Sequence, residues 1–182
     1  MRFEISPTTH LRPFEESDAE ELHALIEANR ERLARWLPWA QGQTYEDTLG
    51  FIRRTIEQVA ANDGFQAAIV CDGRIAGAIG YREVDWGDRS TSLGYWLAEA
   101  YEGRGTMTEA VRALTDHAFT AWGLRRVEVR AAVENRRSRA ILERLGFTEE
   151  ATLPRAELVG GRHLDSVVYA MLSPEAPPRP GS

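Results

Sequence analysis

The residue pattern predicts a mixed α/β fold made of antiparallel hairpins followed by a strand–helix–strand unit. Three observations carry this expectation. Two apolar runs, Phe65 to Cys71 and Arg74 to Val84, flank Asp72-Gly73, a two-residue hairpin signal because both positions tolerate positive φ. Apolar residues recur at helical spacing in four segments. A strand from Arg126 to Val133 is then followed by a helix that ends at Gly146 and by further strand-like runs.

Taken in order, the first strand is expected over Thr8 to Phe14. Ser17-Asp18-Ala19-Glu20 reads as a capping box opening a helix, with Leu22, Leu25, Ile26 and Leu33 on one face. Trp36-Leu37-Pro38-Trp39 breaks that pattern, because proline disfavours helix at the preceding residue. A second helix runs from about Thr44 to Ala61. After the hairpin and the Trp86-Gly87-Asp88-Arg89 turn, a strand over Thr91 to Ala98 leads into a glycine-containing segment, Glu99 to Thr106. A helix over Met107 to Trp122 buries Ala110, Val111, Leu114 and Ala118. Arg136 to Leu145 forms the last helix, and Phe147 to Leu153 and Leu164 to Leu172 close the domain as strands.

The chain of 182 residues suits one compact unit, expected over 1–173. The segment 174–182 contains four prolines and is expected to be disordered. A net charge of −6 weighs against a nucleic-acid partner, which favours basic chains, and suits a cationic acceptor such as an amine. All 22 basic residues are arginine, as a genome biased toward arginine codons would produce. The single cysteine, Cys71, cannot form an internal disulfide and reads as core. No stretch approaches the roughly 20 apolar residues that span a membrane, and no apolar leader opens the sequence, so a cytoplasmic protein is expected.

The segment with chemical content is Leu93-Gly94-Tyr95-Trp96-Leu97-Ala98-Glu99-Ala100-Tyr101-Glu102-Gly103-Arg104-Gly105-Thr106-Met107-Thr108. A strand feeds a glycine turn that opens a helix, where unpartnered amides and the helix dipole make an anion site. A dinucleotide fingerprint needs glycine where Thr108 stands, and a P-loop needs a lysine, which the chain lacks. A plain tight turn remains an alternative. A second segment, Asn135-Arg136-Arg137-Ser138-Arg139-Ala140-Ile141-Leu142-Glu143-Arg144-Leu145-Gly146-Phe147, also reads as an ordinary capped amphipathic helix, with Asn135 as N-cap and Gly146 as stop.

Together the two segments resemble the GNAT acetyltransferases, most closely the branch that acetylates N-termini of ribosomal proteins (the Rim type). The first is similar to that family's pyrophosphate loop, Gln/Arg-x-x-Gly-x-Gly/Ala, with Glu102 in place of Gln or Arg and Met107 in place of the last small residue. The second is similar to its Asn-x-x-Ser-x-x-x-Leu-Glu-Lys/Arg-x-Gly-Phe signature. The resemblance covers roughly residues 8 to 172 and implies an α+β fold. Its mostly antiparallel sheet of six to seven strands would be splayed at the centre and flanked by about four helices.

The resemblance further implies that acetyl-coenzyme A lies in the splay and that its acetyl group moves directly to a primary amine. Trp96 and Leu97 would meet the pantetheine arm, a main-chain N–H near Leu97 would polarise the thioester, and amides from Gly103 to Thr108 would hold the pyrophosphate. Those amides belong to Gly103, Arg104, Gly105, Thr106, Met107 and Thr108; the Arg104 side chain is either a charge partner or a solvated surface group. Many of these enzymes protonate the leaving sulfur with a tyrosine where this chain has Leu142. Ser138 is the position from which the Rim branch addresses the thiol, and Asn135 would orient the cofactor or a water. A glutamate common before the Leu-Gly-Tyr-Trp stretch is Ser92 here, leaving Glu83 and Asp85 as the nearest acidic candidates for a base.

Trp36, Trp39 and Trp86 are expected, with Asp85, to wall the acceptor cleft, while His163 and Asp165 are read as structural. No histidine, cysteine and acid spacing suits a metal, so none is expected. The acceptor is expected to be a protein N-terminal α-amine, with a polyamine or an aminoglycoside as the alternative and a non-catalytic acyl-coenzyme A sensor as the other class. The resemblance also implies homodimers.

Overall fold

The computed structural model describes residues 2–174. Apart from Pro174, the segment expected to be disordered lies outside the described residues. Strands β1 (Phe3–Ser6), β2 (Thr9–Pro13), β3 (Gln66–Cys71), β4 (Arg74–Asp85), β5 (Ser90–Leu97), β6 (Arg126–Ala132), β7 (Thr148–Val159) and β8 (Arg162–Leu172) form one sheet in the order β1-β2-β3-β4-β5-β6-β8-β7. All neighbours are antiparallel except β5 and β6. The crossover between that parallel pair carries the helix α3 (Thr106–Thr120), as a parallel connection requires.

The helices cover the two faces. Helices α1 (Ala19–Leu33) and α2 (Tyr45–Ala60) bury Leu22, Ile26 and Ile52 against Ala68, Val70, Ile75 and Ala78. Helix α3 and the last helix, α4 (Arg136–Leu145), bury Val111, Leu114 and Leu142 against Ile79, Leu93, Val127, Val129 and Val167. The Asp72-Gly73 turn has φ of 50° and 77°, the double positive conformation that the dipeptide favours. Gly77 of β4 is a glycine because a Cβ there would collide with the Trp96 carbonyl, so β4 and β5 approach closely where the site begins.

Three expectations need correction. Among the described residues the sheet has eight strands, against about six to seven expected. The added one, β1, is a four-residue edge strand set off by Pro7, too short to show a period, and it is held by Phe3 against Phe65 and His117 (ring centroids 5.9 and 5.0 Å). Strand β7 does not stop at Leu153. It crosses Pro154 through an irregularity in which Arg155 takes φ 51° and donates its N–H to Asp165 Oδ1 at 2.8 Å, and then pairs again to Val159. This gives Asp165 the structural role expected of it. The start of α1 is fixed by Asp18 and not by Ser17: the Asp18 carboxylate accepts the Glu15 amide (2.8 Å) and two bonds from the Arg12 guanidinium (2.7 Å each).

That fork ties β2 to the start of α1. Burial pushes the Asp18 carboxyl up, but the bonds from Arg12 and the Glu15 amide outweigh it, so its pKa lies below the ordinary 3.8. A carboxylate depressed in the folded state stabilises the protein above its unfolded pKa, and the contribution is lost as pH falls through the folded value. Asp18→Asn is expected to lose about 2 kcal/mol of unfolding free energy at neutral pH, the scale of charged hydrogen bonds. In denaturant titrations the gap to the wild type should close as the pH drops below 3.8.

Candidate active site

The parallel pairing of β5 with β6 ends at Leu93 opposite Val129. Beyond it both strands continue apart. β6 stays paired to β8 as far as Ala132 opposite Ser166. The end of β5 is held by α1: Arg32 Nη2 donates to Leu97 O at 2.6 Å, and the Glu99 N–H donates to Asn29 Oδ1 at 3.0 Å. The Ala98 amide bonds across to Ala76 O at 2.8 Å. Strand alternation therefore turns the amides of Tyr95 and Leu97 away from β4, toward the gap. A cleft of ≈680 Å³ occupies this opening, walled by Tyr95, Trp96 and Leu97 of β5, Leu33 and Trp36 at the end of α1, the loop before α3, and Asn135, Ser138 and Ile141 of α4.

The loop is shaped by Gly103 (φ 74°) and Gly105 (φ 77°). The first main-chain bond of α3 runs from the Glu109 N–H to Gly105 O, and none of the amides from Gly103 to Thr108 has an acceptor among the described residues. Six donors at the positive end of a fifteen-residue helix make a site for a diphosphate. Gly103, Gly105, Thr106, Met107 and Thr108 line the cleft. The Arg104 side chain turns elsewhere, donating to Ala100 O at 3.0 Å and lying over the Tyr101 ring at 5.7 Å. Glu102, unusual in such a loop, is absorbed by cations. Its carboxylate accepts from Arg32 Nη1 at 2.6 Å on one side and from Arg137 on the other. With Arg144 also on the wall, the cleft keeps a basic character that fits a coenzyme A carrying phosphates.

At the start of α4, Asn135 Oδ1 accepts the Ser138 N–H at 3.3 Å, and Gly146 (φ 86°) stops the helix. Leu142 is fully buried, so its position supplies packing. The Ser138 hydroxyl sits 2.9 Å from the Tyr95 hydroxyl. Burial pushes the Tyr95 phenol up to about 12, partly offset by the Ser138 bond. Sequence reasoning passed over Tyr95, because an aromatic in a strand reads as packing and nothing marks a contact across 43 residues of chain. It also passed over Arg32, which meets both Leu97 O and Glu102, and Arg137, which meets Glu102, since these partners lie far away in the chain.

A second hollow of ≈490 Å³ is lined by Arg82, Glu83, Asp85, Ser92, Glu128 and Arg130, among others. Ser92, Glu128 and Arg130 alternate with Leu93, Val127 and Val129, so they belong to the sheet face that α3 and α4 do not cover. Glu83 and Asp85 stand here, and Asp85 Oδ1 also accepts the Asp88 N–H at 2.8 Å in the turn. Glu128 is held by Arg126 at 2.8 Å. Trp36 lines the larger cleft, and Trp39 packs near Trp96 (centroids 6.3 Å). Trp86 is not brought to them: it donates to Asn62 O at 3.0 Å and packs on Trp122 at the far end of the hairpin.

With this geometry established, comparison with known proteins is decisive. The acetyltransferase (GNAT) domain family matches residues 9–148. This chain belongs to the GNAT family. It is an acetyl-coenzyme A-dependent N-acetyltransferase. The chain is 39% identical over 170 residues to the putative ribosomal N-acetyltransferase YdaF of Bacillus subtilis, covering 91% of each. It is 27% identical to the ribosomal-protein-serine acetyltransferase of Escherichia coli, over 92% of this chain and 94% of that one. The solved structure of RimL, a ribosomal L7/L12 α-N-protein acetyltransferase in complex with coenzyme A, superposes with a TM-score of 0.91 at 28% identity, covering 95% of this chain and 98% of that one. The parted β5 and β6 are thus the splayed centre of a GNAT sheet.

If the loop amides grip the diphosphate, side-chain bulk there should oppose binding. At Gly105 a Cβ meets nothing within 4 Å, so the penalty of a substitution is backbone strain and hindered ligand approach, not a clash in the free protein. Gly105→Val is expected to weaken coenzyme A binding about tenfold or more, because the free loop would relax from its positive φ and must recover about 1–3 kcal/mol of strain to present its amides. Calorimetry would measure this, beside a melting curve to confirm folding. Unchanged affinity would remove this loop from the phosphate site.

Proposed function

We propose that the enzyme acetylates the α-amino group of a protein N-terminus, as the ribosomal-protein acetyltransferases it resembles do. The observation that carries this reading is a cleft at the opened end of the β5–β6 pair together with a second hollow beside the half that is still paired. The basic cleft beside α3 and α4 suits the coenzyme, and the hollow on the opposite face suits the acceptor. Arg82, Glu83, Asp85 and Arg130 around that hollow are exposed and of mixed charge. A polyamine calls for an enclosed acidic pocket. An extended peptide end, with its own polar main chain, suits an open rim of both signs.

In this scheme the amides of residues 103–108, with Arg32, Arg137 and Arg144 nearby, hold the phosphates, and Trp96 and Leu97 hold the arm. Bound there, acetyl-coenzyme A supplies an activated acetyl group and a thiolate leaving group. The Leu97 N–H, free on the gap side of β5, donates to the carbonyl oxygen on which charge gathers, a contribution of about 3 kcal/mol for such a donor. Ser138 donates to the departing sulfur, and Asn135 fixes the start of α4 so that Ser138 faces the cleft. Glu83 takes the ammonium proton through a chain of waters, since six residues of β4 separate it from Gly77 opposite Leu97, with Asp85 near it adding negative potential. Trp36 and Trp39 fence the entrance on the α1 side.

The test is steady-state release of coenzyme A against N-terminal peptides, polyamines and aminoglycosides. Peptides beginning with a small residue should turn over with the highest kcat/KM; preferred turnover of a polyamine or an aminoglycoside would overturn the peptide assignment. Ser138→Ala should lower kcat by about tenfold to a hundredfold, the lower range for a positioned proton donor, with the acetyl-coenzyme A KM nearly unchanged. Glu83→Gln should slow turnover most at low pH, where the acceptor amine is most fully protonated, and least at high pH, where the amine arrives neutral. A uniform loss across pH would dismiss Glu83 as the base.

A further inference from the structure

We propose that Tyr95 is a positioning residue for the leaving-group step: its phenol donates to Ser138 Oγ and so leaves the Ser138 hydrogen free to point at the coenzyme sulfur. This rests on the role given to Ser138 above.

The two hydroxyl oxygens lie 2.9 Å apart, and either could donate on geometry alone. Chemistry assigns the direction. A phenol is a far stronger acid than an aliphatic alcohol, and the stronger acid is the better donor. Neither hydroxyl has another partner among the described residues. Burial keeps the Tyr95 proton in place well above neutral pH, so the donor is present throughout the range in which an amine is acetylated. Were the direction reversed, the Ser138 hydrogen would be engaged with Tyr95, and only a lone pair would face the sulfur, which would repel the growing thiolate charge.

Position supports the same reading. Tyr95 lies two residues past Leu93, the last residue of β5 paired to β6, and Ser138 lies at the third position of α4. Their bond therefore spans the mouth of the gap, from the strand that flanks the thioester to the helix that faces it. Both ends are fixed independently: Arg32 and Asn29 hold the end of β5, and the Asn135 cap holds the first turn of α4. A chain of two hydroxyls ending at the sulfur also polarises along its length, so each bond strengthens the next as charge develops.

The step balances without a change in either hydroxyl. A C–N bond forms to the amine and the C–S bond breaks, its electron pair going to sulfur. The proton lost by the nitrogen balances the one the sulfur gains, and Tyr95 and Ser138 end as they began.

The experiment compares wild type, Tyr95→Phe, Ser138→Ala and the double variant. The Phe variant retains the ring and removes only the oxygen. Turnover of Tyr95→Phe is expected to fall about fivefold to tenfold, the scale of one neutral hydrogen bond, with the acetyl-coenzyme A KM little changed. The double variant should be no slower than Ser138→Ala alone, since Tyr95 acts only through Ser138. A second readout needs no catalysis: ionisation of the thiol of bound coenzyme A, followed by thiolate ultraviolet absorbance against a desulfo-coenzyme A blank. A donor at the sulfur favours the thiolate, so the bound thiol should ionise at lower pH in the wild type than in either single variant. If Tyr95→Phe matches the wild type in both readouts while Ser138→Ala does not, the Tyr95 inference is overturned and the Ser138 role survives. If Ser138→Ala also matches the wild type, that role falls and the inference falls with it. Additive losses in the double variant would likewise overturn it, by showing that Tyr95 acts independently of Ser138.

Discussion

The structure depends on two neighbouring parallel strands that stop bonding half-way. Strand β5 gives up its partner after Leu93, and the amides of Tyr95 and Leu97 are left facing a gap. Unpaired main-chain groups inside a protein are costly, so a gap of this kind closes unless its sides are held from outside. Here they are. The Leu97 carbonyl is satisfied by Arg32, the Glu99 amide by Asn29, and β6 is committed to β8 along its whole length. Helix α1 thus does more than cover the sheet: two of its polar side chains hold open the slot into which an extended ligand can insert as a substitute strand.

An anion site lies a few residues further along the same chain. Strand β5 runs directly into the loop whose six amides lack acceptors among the described residues, so the strand and the turn that would hold the arm and the diphosphate under the proposed function are fixed relative to each other by covalent geometry. The charge balance of this loop explains a departure from the family pattern. A carboxylate at Glu102 would by itself repel a diphosphate. Between Arg32 and Arg137 it becomes the centre of an ion network that joins α1, the loop and α4. Arg32 therefore serves twice, satisfying the strand end and neutralising the loop acid, and it links the opened strand to the glycine loop.

Much of this was legible in the sequence, for identifiable reasons. The Asp72-Gly73 turn, the Thr44 cap of α2 and the stretch from Asn135 to Gly146 are local motifs whose side chains bond within a few residues of themselves, as Thr44 does with Asp47 and Asn135 with Ser138. Local chemistry is written in local sequence. What escaped was set by partners distant in the chain. Strand β1 exists because Phe3 finds Phe65 and His117. Strand β7 resumes after Pro154 because Asp165 on its neighbour accepts the Arg155 amide. Trp86, which looked like a cleft wall, instead belongs to the aromatic cluster around Trp122. In the cleft, the glycine loop was visible from spacing and Ser138 only through the family resemblance, whereas Tyr95, Arg32 and Arg137 reach the cleft through contacts that no spacing encodes.

The same distinction bears on how acceptor choice varies within the fold. Under the proposed function the coenzyme side rests on main-chain amides and glycine conformations, which tolerate many side chains, as Met107 and Glu102 illustrate. The acceptor side would rest on side chains: Arg82, Glu83 and Asp85 from β4, Ser92 from β5, Glu128 and Arg130 from β6. Changing Ser92 would alter the second hollow, while its neighbour Leu93 belongs to the core packed against α3 and α4. Position along β5, more than strand parity, separates the two hollows: Tyr95, Trp96 and Leu97 line the cleft and Ser90, Thr91, Ser92 and Leu93 line the other, so under the proposed function a substitution at Ser92 would retune the acceptor side while leaving the walls of the cleft unchanged.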